Sequence, residues 1–581
     1  MTKWAGLAAA VVLGLGLAVP AQAAEPATTI TDVQVTGPVA QRFNLVVLGD
    51  GYTAAEQPKF LDDVRRHVDT LWSLEPFKSY RSYFNVYAVG IASPESGVDC
   101  DPALDAPRRD TPLDMGFWGG CNAQSVQRLL TVDDEAAQRY ADLVPGTTRA
   151  NRQILALGNS GTYGGAGGTY ATASGGNALS ALISPHELGH SLGGLDDEYD
   201  YYARAVPGGA YEGGESGSIH HTLLTEQQMR DQHAKWWRWL GEPSESGGRI
   251  GRFEGGLYTQ TGVWRPSAHS MMKTLGYAFD QVGRERMTRR ISAKVPLISG
   301  GTPEGTIGAD GVVGVRTMHP VSHRLDVTWT LDGVRLRGRE AVDLRKVPVK
   351  PGRHTLVAKV TDPTPFVRDP AVRPTATRTW TVDTSVGTPP ANGPAVVAST
   401  PTTRPVGGHD VVYVETGDPA AEVRWTLDGK RAGTGPDFAL DESRGTHTLT
   451  AKAGGTTLTW TVDATGPATT AELPPAANNV FHGSFTMRLT PSDGLAEFRV
   501  DGDGWHRYYG WPTDPAAPYL FTARGTEIDG LAYGNLGTGG LTVSPFADRK
   551  PGYGRHRIEY RSIDEAGNVG PTRSVTVTLL P

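Results

Sequence analysis

Ser184-Pro185-His186-Glu187-Leu188-Gly189-His190-Ser191-Leu192-Gly193-Gly194-Leu195-Asp196-Asp197-Glu198-Tyr199 is the stretch from which the N-terminal half of the chain can be read. Its centre, His186 to His190, is an H-E-x-x-H pattern. Residues four apart on a helix project from one face, so both imidazoles can meet a single metal ion. Glu187 stands beside them, placed to accept a proton from water that zinc would acidify to a pKa of about 7. With 15 His among 581 residues, chance gives about 0.02 such patterns per chain. Two further residues sharpen the reading. Gly193 follows His190 by three positions and can end the helix with a positive φ, and Asp196 follows by six. A carboxylate oxygen is an acceptable zinc ligand at about 2.0–2.2 Å. The spacing therefore predicts one catalytic Zn²⁺ held by His186, His190 and Asp196, with Glu187 as general base. Asp197 as third ligand stays open. Ser184-Pro185 followed by Glu187 also reads as a helix N-cap, which would turn Glu187 away from water; a helix starting near Asn177 is preferred.

Working outward, Phe43 to about Ser160 alternates strand-like and helix-like patterns. Phe43–Leu48 reads as a buried strand, and Thr53 with Glu56 as a capping box opening a helix to about Leu74. Tyr83–Ile91 and Gln153–Leu157 read as strands and Gln124–Leu143 as a helix, an α/β layer with a mixed sheet. Tyr163–Ser174 is rich in Gly and β-prone, a candidate edge along which an extended substrate adds as a strand.

Three separated motifs carry a resemblance. Gly49-Asp50-Gly51-Tyr52-Thr53, Tyr163-Gly164-Gly165-Ala166-Gly167-Gly168 and His186 through Tyr199 resemble the IgA-peptidase family of secreted bacterial metallopeptidases, over about Thr29 to Ile291. The extended motif is similar to that of the metzincin clan, in which the third ligand is usually His and in some branches Asp. The resemblance implies a metzincin-like α/β (α+β) catalytic domain, a protein or peptide substrate and a Met-turn, at Met272 rather than Met271 because Ser270 stands two residues before it. Many metzincins place a helper Tyr two residues after this Met. Here Thr274 occupies that position, leaving Tyr199 and Tyr277 as candidates.

The N-terminus reads as an export signal over residues 1–23: Lys3, an apolar run from Leu7 to Val19, and Ala21-Gln22-Ala23 at the cleavage site. The apolar run is short for a membrane span and no later one is long enough, so a secreted, extracellular protein is expected. The two cysteines, Cys100 and Cys121, suit one disulfide closing a surface loop. Neither sits in a plausible pro-segment, so a thiol-on-zinc latency switch has no candidate. A net charge of −7 gives no reason to expect nucleic acid. Asp197, Glu198 and Asp200 add acid beside Asp196, for which ligand-orienting bonds, a calcium site and a solvated loop are the readings.

Beyond the catalytic domain (24–298), Trp329-Thr330-Leu331-Asp332-Gly333 recurs as Trp425-Thr426-Leu427-Asp428-Gly429, and Thr379-Trp380-Thr381-Val382-Asp383 as Thr459-Trp460-Thr461-Val462-Asp463. These mark two immunoglobulin-like β-sandwich repeats, 299–388 and 389–466, and 467–581 reads as a third, more divergent β-rich domain. The repeats motivate a rival reading, a catalytically silent adhesin binding a polymer or surface ligand; an intact Glu187 argues against it. A second rival takes Glu212, Glu215 or Glu226 as the third ligand of a different zinc hydrolase. Lys235-Trp236-Trp237-Arg238-Trp239-Leu240 reads more readily as core than as cleft lining.

Overall fold

Phe43-Asn44-Leu45-Val46-Val47-Leu48-Gly49-Asp50 is buried at every residue, as expected of a strand in a sheet covered on both faces. The computed structural model describes residues 26–581 apart from 178, 201–207, 390–395, 399, 419–420, 509–518, 523–524 and 529–551. The export-signal reading of residues 1–23 lies outside the described residues. Among these, no helix is long and apolar enough to cross a membrane.

Six strands form the first sheet: β1 (Thr28–Gln34), β2 (Phe43–Asp50), β3 (Phe84–Ile91), β4 (Arg152–Gly158), β5 (Gly165–Gly167) and β6 (Ala171–Ser174), in the order β1-β3-β2-β4-β6-β5. The inner four run parallel, and β1 and β5 close the two edges antiparallel. Helix α1 (Gln57–Trp72) begins after the expected capping box, Glu56 accepting from Thr53 N at 3.0 Å. Its Phe60, Val64, Val68 and Leu71 line one face at helical spacing and cover the sheet. The short helix α2 (Phe77–Tyr80) follows. The opposite face is covered by α3 (Asp134–Ala141), whose Ala137 and Ala141 pack on Val46 and Leu48.

The helix expected over Gln124–Leu143 is shorter, because Asp133 caps it with a bond from Ala136 N at 2.7 Å. Residues 124–131 instead run back along 116–119, Trp118 N donating to Gln127 O and Gly119 N to Leu129 O. The Cys100–Cys121 disulfide, S–S 2.05 Å, ties this loop down. Cys121→Ser is expected to lower stability by roughly 3 kcal/mol in the chain-entropy account. Denaturant unfolding would show it, and reductant should then shift the wild type but not the variant.

Three strand-rich units follow, each built on one plan. In the first, Gly305–Ile307 pairs in parallel with Thr375–Asp383, which continues antiparallel to Arg353–Thr361, Asp326–Leu331 and Val334–Leu336. Val406–Gly407 and Thr456–Asp463 start the same series in the second unit, and Val480–His482 and Arg573–Leu580 in the third. A smaller sheet faces each series. Trp329 and Trp380 stack at 5.6 Å in the first core, and Trp425 and Trp460 approach at 5.7 Å in the second.

The third unit is less divergent than its sequence suggests. In every unit an Asp-Gly turn with positive φ, at Asp332-Gly333, Asp428-Gly429 and Asp501-Gly502, is clasped by a histidine. His354, His447 and His556 Nδ1 lie 2.7, 2.9 and 2.8 Å from those Asp carboxylates. Phe498 stands where the first two units have Trp329 and Trp425, and Val575 where they have Trp380 and Trp460, which hides the kinship from a search for Trp-Thr-Leu.

Candidate metal centre and cleft

Helix α4 (Ser180–Ser191) carries the two histidines. It starts a turn before Ser184, with Asn177 Oδ1 accepting from Leu179 N at 2.9 Å, so Glu187 is not its cap. Gly189 sits between the histidines because a Cβ there would stand 2.6 Å from Met272 Sδ. Met272 thus lies directly beneath the helix, as expected of the turn residue. Edge strand β5 is equally close: a Cβ on Gly167 would stand 2.5 Å from His190 Cβ and 2.9 Å from Glu187 Oε2. The Gly-rich sequence is what lets sheet edge and helix touch.

The chain then turns sharply, with positive φ at Gly194 rather than at Gly193. Gly193 is instead required by packing, since a Cβ would meet Met287 Sδ at 2.6 Å. This one-residue difference decides which aspartate returns. Asp197 Oδ1 lies 3.2 Å from His186 Nε2 and 3.3 Å from His190 Nε2, and the two Nε2 atoms are 3.2 Å apart. Asp196, the residue that spacing favours, is exposed. Its backbone N–H donates to His220 Nε2 at 2.9 Å, and its carboxylate faces His220 and His221.

Backbone carbonyls fix both ligand imidazoles. His186 Nδ1 donates to Met271 O at 2.9 Å and His190 Nδ1 to Leu195 O at 2.7 Å. Each ring therefore turns its Nε2 inward, a device typical of metal ligands. Asp197 Oδ1 is buried with no hydrogen-bond donor. Three electron-pair donors so converge at the spacing of ligands about 2.0–2.1 Å from a tetrahedral ion. Burial works to raise the Asp197 carboxyl, but the two imidazoles against it hold it far below the ordinary range. Burial likewise works to lower His190, yet Asp197 and Glu187 drive it up to about 9. The arrangement calls for positive charge at its centre, and the donor set fits zinc. Burial pushes the Glu187 carboxyl up.

Two tyrosines complete the site. Tyr199 stacks on His186 with its hydroxyl 3.2 Å from Nε2. Tyr258, which the sequence did not suggest, donates to Asp197 Oδ2. It sits at the tip of the hairpin β7 (Phe253–Gly256) and β8 (Thr259–Arg265), where Leu257 and Tyr258 both have positive φ. Leu257 N and Tyr258 N bond to the carbonyls of Asp197 and Tyr199 at 3.0 and 2.8 Å, which holds the strained tip in place. No local pattern announces such a residue. Tyr277 is elsewhere, stacked on His269 at 4.5 Å.

The other candidates lie apart. His220 is buried and bonded to Glu198 Oε1 at 2.9 Å, while Ser270 donates to Glu198 Oε2 at 2.7 Å. Glu198 thereby links the returning loop to the Met-bearing turn. Glu215 accepts from Thr222 and Leu223 N, and Glu226 opens the helix α5 (Glu226–Gln232). Trp236 and Trp239 are core, as the sequence suggests. A cleft of about 360 Å³ opens over the centre, lined by β5, by Val126, Arg128 and Leu129 beside it, and by Tyr258.

Residues 31–245 match the model of a family described as IgA Peptidase M64. Among curated proteins none matches. Similar solved structures include the fibronectin(III)-like modules of Clostridium thermocellum CbhA, at 16% identity over 32% of this chain and 94% of that one, TM-score 0.18. Extracellular domains 3–5 of Drosophila OTK share 14% identity over 49% of this chain and 96% of that one, TM-score 0.17. The N-terminal four Ig domains of a Dscam1 isoform share 10% over 49% and 73%, TM-score 0.21. The chain is multidomain and strand-rich, with immunoglobulin- and fibronectin-like proteins among these neighbours.

Proposed function

From the premise that residues 31–245 belong to the IgA peptidase M64 family, we propose that the chain is a secreted zinc endopeptidase in which His186, His190 and Asp197 hold the ion. The observation that carries the proposal is the convergence of two Nε2 atoms and a donor-free carboxylate oxygen within 3.3 Å of one another. Helix α4 over Met272, beside a mixed sheet, supports a metzincin-like catalytic domain. Export rests on the apolar N-terminal run and the Ala21-Gln22-Ala23 site.

A bound zinc ion would supply Lewis acidity toward the scissile carbonyl and toward water. Glu187, on the cleft floor, takes a proton from water and returns it to the leaving amine. Tyr199 offers its hydroxyl for the charge that develops on the carbonyl oxygen, while Tyr258, donating to Asp197 Oδ2, holds that carboxylate. The outer strand β5 lets an extended peptide continue the sheet across the site, with Gly165 N already bonded to Arg128 O at one end. These groups prescribe an extended protein chain and encode no preference for immunoglobulin A.

The test is hydrolysis of an unfolded protein by the purified chain, with a chelator arm and a zinc add-back arm. Cleavage lost to chelation and restored by zinc is expected. Cleavage indifferent to the chelator, or zinc bound with no protein cleaved, would overturn the proposal.

A further inference from the structure

The turn that orients His186 has no secondary structure of its own. Met271 O receives the His186 Nδ1 proton, and Met271 N donates to Ala278 O at 2.9 Å. What packs against residues 270–278 therefore sets where that carbonyl stands. On one side is helix α4, through Met272 and Gly189. On the other is the third β-unit, more than 200 residues away in the chain.

Its contact is a strand, His506–Arg507, held in register with Glu497 and Phe498 of the unit's larger sheet. Arg507 N donates to Gly276 O at 3.0 Å, and the Arg507 side chain to Ser73 O at 2.8 Å. The His506 ring meets Tyr277 edge-on at 5.0 Å, and Tyr277 stacks face to face on His269. Gly276 has φ +101, and a Cβ on it would stand 2.7 Å from His506 Nε2, so the surfaces fit without slack. Both His506 and Arg507 are buried.

We infer that the third β-unit is a working part of the metal centre: His506 and Arg507 are positioning residues that hold the 270–278 turn and, through Met271 O, the ligand His186. The inference rests on the zinc reading above. Partners of a ligand histidine commonly change metal affinity by about 10–100-fold when removed. His506 acts one link further out, so an effect near the lower end, about 10-fold, is expected.

The experiment uses the full-length chain and reads the zinc Kd by competition with a chelator, beside the unfolding midpoint of the zinc-free protein. His506→Ala should raise the Kd about 10-fold, and His506→Phe, which keeps a neutral ring against Tyr277, should restore it. His447→Ala, which removes the clasp histidine of the second unit, should leave the Kd unchanged. If His506→Ala lowers the midpoint while the Kd stays at the wild-type value, the contact is structural only and the inference falls. A wild-type chain that binds no zinc overturns the metal reading and this inference with it. A wild type that binds zinc while His506→Ala binds it equally overturns this inference alone.

Discussion

Glu187→Gln is expected to lose hydrolysis by about 10³-fold, the scale of a general-base contribution, while binding zinc as the wild type does. Gln keeps the size and hydrogen-bonding shape of Glu but cannot accept the proton from water. The retention of metal follows from the geometry. The three donors within 3.3 Å of one another are His186, His190 and Asp197, and Glu187 stands beside them with Oε2 toward Gly167. Parallel assays of peptide hydrolysis and zinc content decide it. Turnover within tenfold of wild type would remove Glu187 from the chemistry, and loss of zinc would make it a ligand.

Asp197→Ala and Asp196→Ala should behave as opposites despite being neighbours. Without Asp197 the ion keeps two imidazoles, and the zinc Kd is expected to rise more than about 100-fold, beyond the usual cost of losing a partner one step out. Asp196→Ala should leave the Kd unchanged. Its side chain is exposed, and its contact with His220 is made by the backbone N–H, which the substitution retains. Titration of both variants against a chromogenic chelator gives the comparison. The reverse result would return the third-ligand role to Asp196.

Spacing favours Asp196 and leaves Asp197 open, whereas it is the Asp197 carboxylate that faces both imidazoles; the pair shows where sequence reasoning stops. Local interactions were legible: the Thr53–Glu56 capping box, the strand at Phe43–Leu48 and the H-E-x-x-H helix depend on residues within a turn or two of each other. Which aspartate faces the two imidazoles depends on the path of the 193–197 turn: both Gly193 and Gly194 allow the left-handed conformation, Gly194 takes it, and no local pattern separates the two. Tyr258 was invisible for a related reason, since it arrives on a hairpin whose tip is held by backbone bonds to the 197–199 loop. The third β-unit is legible as β-rich, and its kinship to the first two is carried by Asp501-Gly502 and His556, which repeat their clasp, rather than by tryptophan.

The ten residues from Ser73 to Ser82 touch all three β-units. Ser79 O receives Val321 N at 2.9 Å, Ser82 bonds to His319 O, and Tyr80 bonds to Asp362 at 2.6 Å in the first unit. Arg81 pairs with Asp410 of the second, and Lys78 reaches Gly567 O of the third at 2.8 Å. The tail is thus no flexible tether from which a peptidase swings; one short peptide acts as the keystone of a four-part arch. Together with contacts such as Arg42–Glu415 and Arg404–Asp69, it predicts that the four parts unfold in a single transition on heating.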